Sequence, residues 1–489
     1  MPVTRAAFLA AVLLGCYDPE FNDDTRCGPV GECPSGKSCR DGRCLEGAGA
    51  ADAATAVDAR SDAIPERGVE IVVDKAIGAT GIGSILDPAH SIDCGASCSQ
   101  QRVEVGLGVV VMLVARPGAG SYFAGWSGAC TGPARTCVAT ADHALAVTAR
   151  FSRLDHNLVF VTRDTFRGDF GGLDAGDDHC ATAAIDAGLD GTFVALLSAG
   201  QTHAIDRLRR PGSGDLPRGF IRMDGKPIAD TLADLIVSHR IWYPVLYDQA
   251  GQAAGGNVWT GSTSVGQAAT GLHCTAWTVA TDRANVGLAS GGAALLEAGT
   301  QMCNTRAALA CVMVNKQTAL SATPDPPNSA DRVLYLSKAS FVTRSDNVPS
   351  TRDAADALCD AERPGSRLTR ALLANPGEPG ANRLSASVRY VRPDGLFIGT
   401  GADLLAGALA TGIWVHHDGT FASEVEVWSG ASGIITSGSN QSTCTGWTSN
   451  VGTELAVIGV PSAHPTLWWG NGTRQTNCAQ SLPVYCVEP

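Results

Sequence analysis

Seventeen cysteines are the residues best equipped for chemistry in this chain of 489 residues. A cysteine serves as nucleophile, metal ligand or cross-link, and spacing and compartment separate the three uses. Cys16 stands apart, directly after an apolar run. The other sixteen fall into four groups of four: Cys27, Cys33, Cys39, Cys44; Cys94, Cys98, Cys130, Cys137; Cys180, Cys274, Cys303, Cys311; and Cys359, Cys444, Cys478, Cys486. An even count in each group is what disulfide frameworks look like. Metal binding is the competing use, but the first group has gaps of five, five and four residues, without the two-residue gap typical of zinc ligands. Disulfides are expected, which leaves no free thiol as nucleophile. Three connectivities are open for Cys27 to Cys44, a segment too short for a core. Close spacing favours Cys94–Cys98 and Cys130–Cys137 as local bridges.

Other patterns promise less. Gly31 to Ser38 matches the phosphate-loop pattern, yet it contains Pro34 and Cys33 and follows no strand. His416-His417-Asp418 are potential metal ligands, but Asp418-Gly419 between strand-like runs is a hairpin signal, so exposed turn residues are expected. Arg167-Gly168-Asp169 is too short a tripeptide to carry a role. The sequence contains neither a G-x-S-x-G elbow nor an H-E-x-x-H helix, so no catalytic, metal or cofactor site is expected. Arginine does cluster: Arg207, Arg209, Arg210, Arg218 and Arg222, then Arg363, Arg367, Arg370, Arg383, Arg389 and Arg392. Guanidinium groups on one face hold carboxylates or sulfates bidentately, which points to an acidic glycan. The plainer reading is solvated arginine dictated by composition, since the chain has 31 Arg against five Lys.

A net charge of −12 argues against a general binder of nucleic acid or anionic membranes. Arg5, the apolar run Ala6 to Leu14, and Gly15 make a secretory signal in residues 1–16. Leu13-Leu14-Gly15-Cys16 also resembles the lipobox of bacterial lipoproteins. The resemblance implies a lipid on Cys16 and attachment to the cell envelope without spanning it. Tyr17 supplies no acidic retention signal, which favours the outer membrane or surface of a Gram-negative cell. Residues 17–44 then form the first cysteine group, and 45–68 an Ala- and Asp-rich solvated spacer.

Val69 to Val73, Val103 to Val114 and Ala144 to Phe151 read as strands. With Cys94-Gly95-Ala96-Ser97-Cys98 and the Trp126-Ser127-Gly128-Ala129-Cys130 box, residues 69–152 resemble the divergent internalin-type β repeat, a spacer or adhesion module. Trp126 is expected to close its core. The rest repeats itself, in residues 157–315 and 332–489, with a Pro-rich linker at 316–331. Each copy has an acidic helix start before its first Cys, a Val-Trp-x-Gly box (Val258, Val427), a Cys-x-x-Trp box (Cys274, Cys444) and a closing Cys pair. With the stretch Gly188 to Ser198, these landmarks resemble the endostatin-like branch of the C-type lectin fold. Copy two lacks that stretch and reads Arg367 to Leu373 instead. The resemblance implies nested bridges, Cys180–Cys311 around Cys274–Cys303 and Cys359–Cys486 around Cys444–Cys478, with Trp259, Trp277, Trp428 and Trp447 mostly in cores. The calcium-dependent sugar motifs of true C-type lectins do not occur: Glu378-Pro379-Gly380 and Trp469-Gly470-Asn471 are not adequate substitutes. Only His156 lies where the family's zinc ligands would be, so zinc is not carried over.

The expected fold class is therefore α+β and β-rich, a small β repeat module followed by two C-type-lectin-like domains. The expected function is an exported, lipid-anchored binding protein for a glycan or an extracellular protein. A structural envelope protein without a dedicated ligand is the alternative, and an enzyme the minor one.

Overall fold

A computed structural model of the chain describes residues 37–40, 43–46, 68–209, 216–320, 330–345, 348, 349, 351–423 and 426–489. The chain is β-rich, with 36% strand against 15% helix, and divides into residues 1–65 and 66–489. In the first unit, strands Lys37–Arg40 and Arg43–Glu46 pair antiparallel, with Cys39 opposite Cys44. The phosphate-loop pattern thus runs into a strand where nucleotide binding would need a helix. Cys16, Cys27, Cys33, the bridges of the first cysteine group and most of the Ala- and Asp-rich spacer lie outside the described residues.

The second unit begins with two four-stranded sheets. Alternation decides which side of each strand is buried: in Leu145–Arg153, Leu145, Val147, Ala149 and Phe151 point inward. Val103 to Val114 is not one strand. The chain turns at Gly108, where φ is +83°, a value that costs glycine little. The run becomes Gln100–Gly106 in one sheet and Val110–Pro117 in the other. Trp126 is buried against Phe123, with ring centroids 5.0 Å apart, and its indole N–H donates to Ala134 O. Cys94–Cys98 and Cys130–Cys137 close local loops.

Each copy centres on its last strand. In copy one, Arg306–Met313 lies between Asn157–Val161, antiparallel, and Asn257–Trp259, parallel. In copy two, Tyr485–Val487 pairs antiparallel with Arg332–Leu336, and Val484 bridges in parallel to Trp428. Helices Leu173–Asp186 and Arg352–Ala361 carry an acidic residue in the first turn, Asp174 and Asp353, which suits the helix dipole. Cys180–Cys311 and Cys359–Cys486 staple these helices to the central strands. Cys274–Cys303 and Cys444–Cys478 complete the nested pattern. Copy two keeps the place of the lost stretch: Ala371 pairs with Cys486 as Ala195 does with Cys311. Twelve paired cysteines in this unit mark a protein of an oxidising compartment outside the cytosol. Among the described residues, no helix is long and apolar enough to cross a membrane.

The four tryptophans repeat one geometry. Trp259 and Trp277 have centroids 5.9 Å apart at 61°, Trp428 and Trp447 5.8 Å apart at 67°. All four are fully buried, and each indole N–H reaches a backbone carbonyl: Phe166, Ser198, Phe341 and Ala374 respectively. A buried indole needs such a partner.

The copies share one core, in which Ile228, Ile236 and Ile241 of copy one join Ile413, Trp414 and Trp468 of copy two. A hairpin from each copy meets the other there. Their turns read Arg222-Met223-Asp224-Gly225 and Arg392-Pro393-Asp394-Gly395, with Gly225 at φ +81° and Gly395 at +85°. Each arginine is held by the carboxylate two residues on, Nε to Oδ1 at 3.0 Å in both. Each then crosses the junction: Arg222 Nη1 donates to Ala410 O, and Arg392 Nη1 to Trp242 O at 3.1 Å. Thr411 Oγ1 and Trp414 Nε1 add bonds to Trp242 O and Ile241 O. Residues 316–320, assigned to the linker by composition, run along copy one, where Lys316 O accepts from Asn157 and Arg218.

Removing Arg392 would strand the largely buried Asp394 carboxylate and open the junction. Arg392→Ala is expected to lower unfolding free energy by about 3 kcal/mol in urea titration. A loss under about 1 kcal/mol would place it among ordinary surface pairs.

Candidate functional site

The candidate arginines do not converge on one face. Arg207 is nearly buried and holds Asp177 and the carbonyls of Leu173, Ala195 and Leu197. Arg222 and Arg392 fill the junction and stack on Tyr243 and Tyr247, and on Trp414 and Phe421. Arg370 and Arg383 both bind the buried Asp356 carboxylate. Arg389 pairs with Asp331 and stacks on Phe397, and Arg367 reaches Glu488. Arg209, Arg218 and Arg363 pair at the surface with Asp206, Asp230 and Asp360. Arg210 lies outside the described residues. A guanidinium whose N–H groups are spent on carboxylates and backbone carbonyls offers little to an anionic ligand.

Other sequence candidates are also built into the fold. Gly168 of the Arg-Gly-Asp tripeptide packs on the Cys274–Cys303 bridge, where a Cβ would come within 2.3 Å of Cys274 Sγ. Asp418-Gly419 makes the expected turn, with Gly419 N bonded to His416 O. His416, expected on the surface, is instead buried, because its Nδ1 donates to Leu336 O at 3.0 Å. Bonds from Lys338 and Thr420 hold the Asp418 carboxyl well below the usual carboxylate range. Among the described residues, no three His, Cys, Asp or Glu side chains gather as a metal site.

Convergent polar groups occur instead beside the second Cys-x-x-Trp box. Cys444, Thr445, Gly446 and Trp447 all have positive φ, 48°, 54°, 68° and 68°. This left-handed turn is tied by Cys444–Cys478 and by Gly446 N donating to Thr443 Oγ1. Next to it opens a cleft of about 470 Å³ lined by Asn440, Gln441, Thr445, Thr453, Glu454, Leu455 and Gln475. Gln475 stands on strand Gln475–Asn477, paired with strand Leu455–Gly459. Thr445 Oγ1 donates to Glu454 Oε2 at 3.1 Å, linking turn and strand. Copy one builds the same turn and the matching bond, Thr275 Oγ1 to Asp282. There Arg283 stands for Leu455 and Thr300 for Gln475, and Arg283 bonds Thr300 Oγ1 at 2.8 Å across the strand pair. Sequence reading passed over these residues because they are ordinary polar residues on three separate segments; nearness to the Cys-x-x-Trp box was their only signal.

Together these features define a β-rich, disulfide-stapled, multidomain protein of the exported class, with a polar cleft beside a rigid turn. Comparison with protein-family models and with curated proteins finds no match.

Gly446 has room for a methyl group, since a Cβ would lie 3.6 Å from Pro376 Cγ, so only its φ forbids one. Gly446→Ala is expected to cost about 1 kcal/mol. Ala276→Gly, at φ 54° in copy one, should be neutral or stabilising. Thermal melts of the two variants check the contrast.

Proposed function

We propose that the chain is an exported surface recognition protein, lipid-anchored at Cys16, whose two lectin-like copies present a binding site for a neutral, hydroxyl-rich ligand, a glycan. The copy-two cleft carries this reading. Carboxamides, hydroxyls and one carboxylate supply both donors and acceptors, as sugar hydroxyls require, and no cation among the described residues lines the cleft. The turn and disulfide hold these groups in place before any ligand arrives, which lowers the ordering cost of binding. The signal sequence, lipobox-like segment and spacer support presentation at the cell envelope. The role is non-catalytic in this reading, because all twelve cysteines of residues 66–489 are cross-linked and, among the described residues, Glu454 is the titratable group that lines the cleft.

A neutral-glycan array probed with the mature chain tests this. Binding should persist at about 0.5 M salt, because hydrogen bonds to neutral groups are screened little. Glu454→Gln and Gln475→Ala should each weaken it about tenfold. An array on which neutral glycans do not bind, or binding indifferent to both variants, contradicts the proposal.

A further inference from the structure

A second cleft, on copy one, has the opposite electrostatic character. It encloses about 450 Å³ beside strand Arg306–Met313, with Arg163, Thr165, Asp248, Asn257, Gln301 and Arg306 on its walls and an alanine-rich floor. Arg306 is bonded through Nε and Nη2 to Thr165 Oγ1 and O, neutral partners, and forms no ion pair among the described residues. Arg163 gives Nε to Asp248 at 2.8 Å, and that largely buried carboxylate also accepts from the amides of Ala250 and Gln252. Its two Nη groups carry no partner among the described residues. Two exposed guanidinium groups therefore line the cleft with one carboxylate, Asp248, which is bonded to Arg163, a local positive excess in a chain of net charge −12. Among the described residues Arg306 has no carboxylate partner, and Arg163 keeps both Nη groups free beyond its Nε bond to Asp248.

The corresponding loop of copy two shows the contrast. Lys338 occupies the place of Arg163 and gives Nζ to Asp418 at 2.7 Å, while the amides of Lys338 and Ala339 bind the Glu362 carboxylate at 2.8 and 2.7 Å. Ser481 occupies the place of Arg306, as the pairing of Phe341 with Leu482 and of Phe166 with Ala307 fixes. Each copy pairs one cation here, Arg163 with Asp248 and Lys338 with Asp418; copy one adds a second guanidinium, Arg306, where copy two has a serine.

We infer that the copy-one cleft binds a carboxylate-bearing sugar, a hexuronate unit, with Arg163 and Arg306 taking the carboxylate. The space exceeds what a lone oxyanion fills. Thr165, Asn257 and Gln301 line it with hydroxyl and amide groups, and Asn257 Nδ2 is fixed on Gln301 Oε1 at 3.1 Å. The carboxylate supplies the charge match and the ring hydroxyls use the polar wall. This site is independent of the copy-two cleft and stands or falls separately from it.

Calorimetric titration of the full mature chain with trigalacturonate tests the inference, with maltotriose, acetate and sulfate as parallel probes. Trigalacturonate is expected to bind, to weaken as salt rises from about 0.05 to 0.5 M, and to lose about tenfold in Arg306→Gln and in Arg163→Gln. Arg306→Gln strands no buried carboxylate, so it remains informative if Arg163→Gln, which frees Asp248, folds poorly. Glu454→Gln should leave trigalacturonate binding unchanged. Binding no tighter than that of maltotriose, or unaltered in Arg306→Gln, overturns the inference. Displacement by acetate or sulfate at equal concentration overturns the sugar assignment.

Discussion

The reciprocal contact of Arg222 and Arg392 is the constraint on which the arrangement of the two copies depends. A guanidinium buried to 2% or less must be neutralised and have its N–H groups satisfied, or the desolvation cost is prohibitive. Each copy supplies the neutralising carboxylate within its own turn, at Asp224 and Asp394. Each takes the final acceptor from the other copy's backbone. Neither arginine is therefore fully satisfied within its own copy. The edges of the copies also meet where Ala463 N bonds to Ser290 O and Gly291 bridges Ser462. Gly292 packs its Cα against Trp414, at a spot with no room for a side chain. Nearly equivalent positions thus meet around an approximate two-fold relation, as in an isologous dimer carried on one chain.

Within that frame the disulfides and left-handed turns do similar work in both copies, and the surfaces diverge. Leu455 and Gln475 open a cleft where Arg283 and Thr300 bridge the strands. Arg306 stands without a carboxylate partner among the described residues where Ser481 is neutral, beside the paired Arg163 and its counterpart Lys338. A few exchanges on a fixed backbone change which polar groups are spent internally and which face solvent. That is how one architecture presents two different polar surfaces.

Much of the framework was legible in the sequence. Cysteine count and spacing, with the lectin-like resemblance, anticipated the six bridges of residues 66–489, and the tryptophans proved buried as expected. The arginines were not legible. Residue type gives charge, but whether Asp224 or Asp356 lies within bonding distance depends on a turn and on a helix face. The Arg-x-Asp-Gly repeat is visible at 222 and 392, yet its crossing to the other copy involves carbonyls far away in sequence, at 242 and 410. His416 failed as a surface residue for a similar reason: its acceptor, Leu336 O, is 80 residues away. The copy-two cleft draws on residues 440 to 475, which strand pairing brings together and no periodicity signals.

Differential scanning calorimetry of the mature chain tests the shared core most directly. If the copies fold as one body, both unfold in a single transition whose van't Hoff enthalpy matches the calorimetric enthalpy for the pair. Two resolved transitions, each sized for one copy, would contradict the account.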